Sequence, residues 1–428
     1  MNEALDVFLH ATRAGRLERL TGAKLRFRYD EDWVKAGQAP LSLSLPVRTE
    51  PYEDDECRPF FSGLLPEGEF LKSIARRFHV SAGNVFSVLA EIGGECAGAI
   101  SLAAEGESPP FLDAPPPEWL DQHQLGMLLT ELPERPLLAI PGEDDEGVRL
   151  SLAGSQDKLP VLWQGDRVGI TRGRPPSTHI VKVPLASIEG MVANEAYCMA
   201  LAATAGLSAA KAMPIAAGEA EGLLVRRYDR VRVDGAETVH RIHQEDFCQA
   251  AGCDPEEKYQ AHGGPGVAEC AMLIRSHSGS PGADLFAFLD ALIFNLLIGN
   301  ADAHSKNYSL LLEGDESPRL APLYDLLSTR TYGRRLNRKM AMKYGGEYRP
   351  ERIRGRHLDR LAADLEMPPR GVRRRIAEVI ERVSASSESA RDCLPGGWQE
   401  APIIDRIAAV VGETTDEVRR AAAEPAEP

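Results

Sequence analysis

The seven cysteines of this 428-residue chain include no CxxC pair and are odd in number, which argues against a zinc site or a disulfide frame and for reduced thiols. No run of about 18 uninterrupted apolar residues occurs, so a membrane span is not expected. Hydrophobic residues at 43% and charged residues at 26% place the chain among soluble globular proteins. Positive charge is in deficit, with 49 Lys and Arg against 64 Asp and Glu and a formal net charge of −15. A direct grip on DNA or RNA phosphates is therefore disfavoured unless basic residues cluster or a partner supplies them. The opening "MNEALDVFLHATRAG" has an acidic start and too short an apolar stretch for a signal peptide, which predicts a cytoplasmic protein. Internal repeats are absent, and the length exceeds what one core sustains, so two or three domains are expected.

What is present begins with β structure. Apolar and polar residues alternate around a turn placed at Gly15 and again from Lys24 to Tyr29, as in antiparallel strands. Helical spacing follows from Glu67 to Val80 and from Asn84 to Ile92, and "GECAGAISL" reads as a strand. "EGESPPFLDAPPPEWL" and "IPGEDDEG" read as connections around a short helix near Asp121 to Leu132. Strands are then predicted in "RLSLAGSQDKLPVLW", "VGITRGRP" and "THIVKVP", a helix over Ile188 to Gly206, and mostly helix from Pro281 onward. The expected units are an N-terminal α+β subdomain over 1–110, the rest of an N-terminal lobe over 111–235, and a helical unit over 236–428.

The chemistry concentrates after a helix, "ADLFAFLDALIFNLLI", that is apolar on nearly every face and so belongs in a core. Asp302 emerges at its end, Asn307 follows five residues later, and Asp325 lies beyond a predicted hairpin. Phosphoryl transfer uses such a set: one carboxylate for the attacking hydroxyl, a carboxylate and an amide to hold magnesium against ATP phosphates. Asp302 is the candidate base, Asn307 and Asp325 the candidate metal ligands, and Lys306 a candidate to neutralise the transferring phosphate. Taken singly, each also fits a cap or a turn; spacing and order together favour the catalytic reading. His304 with the two aspartates could instead form a hydrolytic metal site, but no HExxH supports it. Lys182 lies inside the strand "THIVKVP", where a charge needs a partner; Glu195 is the natural one and Glu189 the alternative. "SLAGSQDK" is neither GxGxxG nor GxxxxGK[ST], yet its centre, Gly154 to Lys158, can offer backbone N–H groups to phosphates. "VRRYDR" offers a hinge whose backbone at Arg226 to Tyr228 could meet an adenine edge.

These segments, with "FFSGLLPEGEF", "NEAYC", "HQEDFCQAAG", "KYQAHGGPG", "LIGNADAHSKNYSLLL", "LAPLYDLLST" and "KMAMKYGG", resemble the HipA-type serine/threonine kinases, toxins of bacterial type II toxin–antitoxin pairs. The resemblance implies an α+β, bilobal protein-kinase-like fold, with a mixed α/β N-terminal lobe facing an all-helical C-terminal lobe and ATP in the cleft. By similarity, Asp302 matches the catalytic aspartate, Asn307 and Asp325 the Mg2+ ligands, and Lys182 the phosphate-contacting lysine. Ala153, Gly154, Ser155, Gln156, Asp157 and Lys158 match the nucleotide-covering loop, and Arg226, Arg227 and Tyr228 the hinge. Ser151 matches a serine that family members autophosphorylate in trans, switching themselves off. At Arg226 the family often has an acid, so side-chain contacts there differ. The resemblance further implies protein substrates such as an aminoacyl-tRNA synthetase, and a HipB-like DNA-binding antitoxin through which DNA is reached only indirectly. Two other readings compete: a weakly catalytic corepressor, and a small-molecule kinase.

Overall fold

The computed structural model describes residues 3–109, 116–133, 154, 156–171, 175–232, 239–312 and 317–425. Period-two alternation produces strands β1 (Ala4–Leu9), β2 (Thr12–Arg19) and β3 (Leu25–Tyr29), and β4 (Ile100–Ala104) pairs with β1 to give an antiparallel sheet of order β3-β2-β1-β4. The first turn falls at His10 and Ala11, with His10 at φ 55, and not at Gly15. Gly15 lies inside β2, where a Cβ would sit 2.3 Å from the Arg28 carbonyl oxygen, so it serves close packing between strands. Four helices, α1 (Glu31–Lys35), α2 (Asp54–Gly63), α3 (Gly68–Arg77) and α4 (Val85–Ile92), accompany this sheet. Phe27, Phe60, Phe61 and Ile74 are fully buried in its core.

A second, six-stranded sheet follows. It contains β5 (Glu118–Trp119), β6 (Lys158–Gln164), β7 (Arg167–Ile170), β8 (His179–Lys182), β9 (Ala212–Ala217) and β10 (Ala220–Arg226) in the order β5-β7-β6-β8-β10-β9. Helix α5 (Gln122–Glu131) starts at Asp121, whose side chain accepts from the Gln124 N–H, an N-cap of the ordinary kind. Helix α6 (Met191–Thr204) connects β8 to β9 and is rich in alanine and nearly all buried. A short ribbon joins β11 (Arg230–Arg232) to β12 (Val239–Arg241).

The remainder holds α7 (Phe247–Ala250), α8 (Val267–His277), α9 (Pro281–Ile298), α10 (Gly355–Asp364), α11 (Pro369–Asp392) and α12 (Pro402–Ala423). Residues 236–428 are not all-helical as expected. Within them β13 (His243–Asp246), β14 (Ser309–Leu312) and β15 (Arg319–Leu320) form a three-stranded sheet. The physical reason is pairing: β14 leaves the polar loop after α9, and β13 on one side and β15 on the other satisfy its backbone groups. Helix α9 is long and apolar enough by composition to cross a membrane, but most of it is buried among the other helices. Pro281 sits at its first helical position and Gly299 ends it at φ 66, the usual division of labour between these residues. Any side chain at Gly299 would also place its Cβ 2.6 Å from that of Arg330.

The buried apolar residues divide into two clusters. One lies between the two sheets and α2 to α5, the other among α6 to α12. Lys182 ends the central strand β8 of the second sheet, while Asp302 follows the core helix α9, so the charged residues singled out above gather where the two clusters adjoin.

Candidate active site

The loop after α9 is held by side chains on the segment that follows Asp325. Thr329 accepts the Ala301 N–H at 2.8 Å and donates to the Gly299 carbonyl at 3.0 Å. The Arg330 N–H also donates to Gly299, at 3.0 Å. Asn300 accepts the Asp302 N–H at 3.1 Å, and Asn307 Nδ2 donates to the Asp302 carbonyl at 3.0 Å. The loop backbone is thus set from several directions, and the Asp302 side chain opens on the cleft. Tyr259 donates its hydroxyl to Asp302 Oδ1 at 2.5 Å. Partial withdrawal from water raises the Asp302 pKa from its ordinary value, the Tyr259 hydrogen bond opposes this, and the charge of Asp325 adds to it.

Lys182 Nζ lies 2.5 Å from Glu195 Oε1 and 2.6 Å from Asp325 Oδ1. Burial works against its charge, but the two carboxylates keep it protonated. Glu195, early in α6, is the partner; Glu189 forms no ion pair with it among the described residues. Asp325 stands at φ 59, an uncommon conformation for a residue with a side chain and one that gathers at functional sites. Burial opposes ionisation of Asp325, yet Lys182 beside it holds the carboxyl well below its usual range. Its side chain remains 43% exposed, toward the cleft.

Lys158 is the residue whose position sequence reading missed. It was placed in a covering loop; it is the first residue of β6 and stands directly across from Lys182 on β8. Burial and the Lys182 charge lower its pKa to about 8. Gly154 approaches it so closely that a Cβ there would lie 2.5 Å from Lys158 Nζ, and its φ of 114 also demands glycine. The Glu67 N–H donates to the Gly154 carbonyl at 3.0 Å, tying this turn to the first unit.

Other predicted residues are engaged differently. Lys306 Nζ is buried 2.9 Å from Asp246 Oδ2 and 3.7 Å from Glu67 Oε1. The Arg227 guanidinium is fully enclosed by Asp229, Glu95 and Ser177. Arg226 is exposed, and the N–H groups of Arg226 and Arg227 donate to the Lys211 and Thr178 carbonyls. The Tyr228 ring packs against Tyr324 in a tilted arrangement, centroids 5.6 Å apart. Gln156 donates its side-chain amide to the Val183 carbonyl at 2.8 Å, and burial raises the Asp157 pKa from its ordinary value. Ser151, Ala153 and Ser155 lie outside the described residues. His304 is buried with its Nδ1 unpartnered and its pKa pushed down to about 3, first by burial and then by Lys258, so it is neutral. No group of three His, Cys, Asp or Glu suited to a metal occurs among the described residues, so His304, Asp302 and Asp325 do not form the three-ligand set that the hydrolytic alternative needs.

Two cavities meet at this point. They share Gly154, Lys158, Lys182, Asp302, Asn307 and Asp325. One continues past Ile180, Val225, Tyr228 and Tyr324, a slot with apolar walls at these residues. The other opens past Ile188, Met191, Leu327, Met340 and Tyr348. Two cations and two carboxylates at the junction of two separate approaches suit a group passing from one bound molecule to another. Sequence could not reveal Tyr259, Glu67, Asp246 or Thr329 in this role, because each reaches the loop from a distant element.

Residues 5–103 match the family described as HipA N-terminal domain, and residues 150–387 match the HipA-like C-terminal domain. The chain is 44% identical over 346 residues to a protein named putative kinase Y4mE from Sinorhizobium fredii, covering 80% of each. It is 31% identical over 350 residues to the serine/threonine-protein kinase toxin HipA of Shewanella oneidensis, covering 79% of this chain and 78% of the relative. A solved structure of the Shewanella oneidensis HipA, HipB and operator DNA complex superimposes with TM-score 0.83 at 26% identity, over 97% of both chains. With both of its parts matched and an α+β architecture shared along nearly its whole length, the chain belongs to the HipA family of kinase toxins.

Proposed function

We propose that this cleft transfers the γ-phosphoryl group of ATP, with Mg2+, to a serine or threonine hydroxyl of a protein. The observation that carries the reading is the pair Lys158 and Lys182, directly opposite on adjacent strands and beside Asp325. Like charges facing across strands repel; Glu195 and Asp325 offset that of Lys182, and a polyphosphate reaching both ammonium groups draws on the pair. The donors fit magnesium. Asp325 offers a carboxylate to the cleft, and Asn307, whose nitrogen is spent on the Asp302 carbonyl, has its amide oxygen left. Hard oxygen donors of this kind, few in number and completed by phosphate oxygens, suit Mg2+.

When bound, Mg·ATP supplies the phosphoryl group and spreads its developing charge. Lys182, oriented by Glu195, holds the phosphates, and Lys158 adds a second ammonium. Asp302 orients the acceptor hydroxyl arriving through the second cavity and takes its proton. Adenine occupies the apolar slot at Ile180, Val225 and Tyr228. Since the N–H groups of Arg226 and Arg227 are used within the sheet, Tyr228 is the hinge residue left to offer one. Lys306 acts by position: its pair with Asp246 fixes the turn that carries Asn307.

The same reading extends to a bilobal, protein-kinase-like organisation over 1–110, 111–235 and 236–428, to a cytoplasmic toxin neutralised by a HipB-like antitoxin, to an aminoacyl-tRNA synthetase as substrate, and to self-inactivation by phosphorylation at Ser151. The net charge of −15 suits a basic, DNA-binding partner. Incubation with γ-labelled ATP and magnesium tests the core of the proposal. The wild type transfers label to protein and Asp302→Asn, folded by circular dichroism, loses transfer by about 10²-fold or more, the scale general-base catalysis reaches. Label transfer by the variant at the wild-type rate removes Asp302 from its role.

A further inference from the structure

Seven cysteines without a CxxC motif predict independent thiols, yet the fold brings two of them together. Cys248 lies in α7 and Cys253 just after it, and the Cys253 N–H donates to the Cys248 carbonyl at 2.9 Å, closing a tight turn. Both sulfurs rest on the same Asp254 carbonyl oxygen, at 3.9 and 3.6 Å, which places them side by side. Their settings differ. Cys248 is buried and Cys253 is half-buried at the surface. Cys248 Sγ also meets Ser305 Oγ at 3.4 Å, and Ser305 opens the short 3-10 turn Ser305–Asn307 that follows Asp302. The same hydroxyl donates to the Lys258 carbonyl at 3.0 Å, next to Tyr259. The sulfur pair therefore touches the loop holding the candidate base and metal ligand.

We propose that Cys248 and Cys253 are an oxidation site, forming a reversible disulfide with hydroperoxides that disengages Cys248 from Ser305 and loosens the loop over residues 301–308. The half-exposed Cys253 sulfur attacks the peroxide oxygen; the O–O bond breaks, Cys253 becomes a sulfenic acid, and the remaining oxygen leaves as water or alcohol after protonation. Cys248 sulfur then attacks the sulfenic sulfur, the S–S bond forms, and the hydroxyl leaves as water with the Cys248 proton. Two thiols lose two electrons and the peroxide gains them. The Cys248 thiol beside it also holds the Cys253 thiol below its usual range. Bonding distance between sulfurs is about 2.05 Å, shorter than a sulfur hydrogen bond, so closure draws Cys248 toward Cys253 and away from Ser305.

The effect on catalysis rests on the kinase reading above, but the bond and the loosening do not. Trypsin releases both cysteines in one peptide, residues 242–258, because Arg241 and Lys258 flank it. The full chain is treated with hydrogen peroxide, free thiols are alkylated, and this peptide is weighed. Hydrogen exchange of residues 301–308 is followed in wild type and Cys253→Ser. The expected result is a wild-type peptide two hydrogens lighter and protected from alkylation, faster exchange in the loop, and reversal by dithiothreitol. Cys253→Ser should show no exchange response, and its transfer activity under reducing conditions should match wild type. In oxidised wild type, transfer should fall about tenfold or more, since displacement of reacting groups by about an ångström costs up to about 10²-fold. Full alkylation of both thiols after peroxide would overturn the proposal, as would a disulfide that leaves loop exchange unchanged. Absence of transfer in the reduced wild type would instead count against the kinase reading, with the thiol and exchange results standing on their own.

Discussion

At the scale of single residues, the chain keeps several ionisable groups away from water for reasons outside the chemistry itself. Glu245 on β13 is fully buried and accepts from Ser42 Oγ at 2.5 Å and the Leu43 N–H at 2.9 Å. Burial outweighs both bonds and pushes its pKa up to about 7 from an ordinary 4.5. The folded chain therefore holds a proton that the unfolded chain releases. Stability is full below about pH 4.5, falls as pH rises toward 7, and levels off above, a loss of roughly 3 kcal/mol at most. Glu245→Gln keeps an acceptor for Leu43 and removes the ionisation. Thermal denaturation from pH 5 to pH 8 should show a flatter dependence for the variant and a higher Tm than wild type at pH 8. An unchanged slope would mean that Glu245 ionises without cost. Among the catalytic candidates, Asp302, Asn307 and Asp325 were legible because polar residues between apolar runs need a reason and their spacing offered one. Lys158 was singled out as well, in a covering loop, but its place on a strand opposite Lys182 depends on β6–β8 register and not on any local signal.

At the scale of elements, the loop after α9 owes its shape to a brace and not to its own turn propensity. Thr329 accepts the Ala301 N–H and donates its hydroxyl to the Gly299 carbonyl, so one hydroxyl joins the end of a core helix to the start of the loop that carries Asp302. Thr329→Val preserves volume and removes both bonds, leaving a buried N–H unpaired at about 1–3 kcal/mol. The predicted outcome is a lower Tm and a reduced kcat with little change in ATP affinity, measured by calorimetry. A fall in ATP affinity with kcat intact would place the brace on the nucleotide and not on the loop. Helices and strands were largely readable from periodicity: α3, α4, α5 and α6 lie within the stretches assigned to them. The turn at Gly15 was misplaced because a glycine that allows backbone approach inside a strand carries the same local signature as one that permits a turn. The strands of the three-stranded sheet carry alternation, as in "TVHRIHQEDF" and "YSLLL", but their pairing was not visible, since the first comes from a segment more than fifty residues before the hairpin it completes.

At the scale of the whole molecule, the cleft is where separately built cores are locked together by charge. Glu67 bridges to Lys258 at 2.6 Å and to Lys306, and burial of its carboxyl is more than offset by those lysines, which hold it below its usual range. Behind the slot, Arg227, Arg230, Glu95 and Asp229 form a buried ionic cluster. Removing one member of such a group costs about 3–5 kcal/mol because its partners stay buried. This explains why the three arginines in "VRRYDR" divide, Arg226 into solvent and Arg227 and Arg230 into the structure, a distinction no local pattern conveys. Family membership was readable from motifs because their order along the chain is itself information. How they converge required the fold.

In the proposed reading, Lys158, Lys182, Asp325 and Asn307 grip a triphosphate through a metal. Calorimetric titration of ATP with and without magnesium, on the wild type and on Asp325→Asn, addresses it most directly. Magnesium should tighten ATP binding to the wild type by about tenfold or more, a difference of about 1.4 kcal/mol, and should lose that effect in the variant. ATP that fails to bind the wild type, or a magnesium effect that survives the loss of the Asp325 charge, would contradict the account.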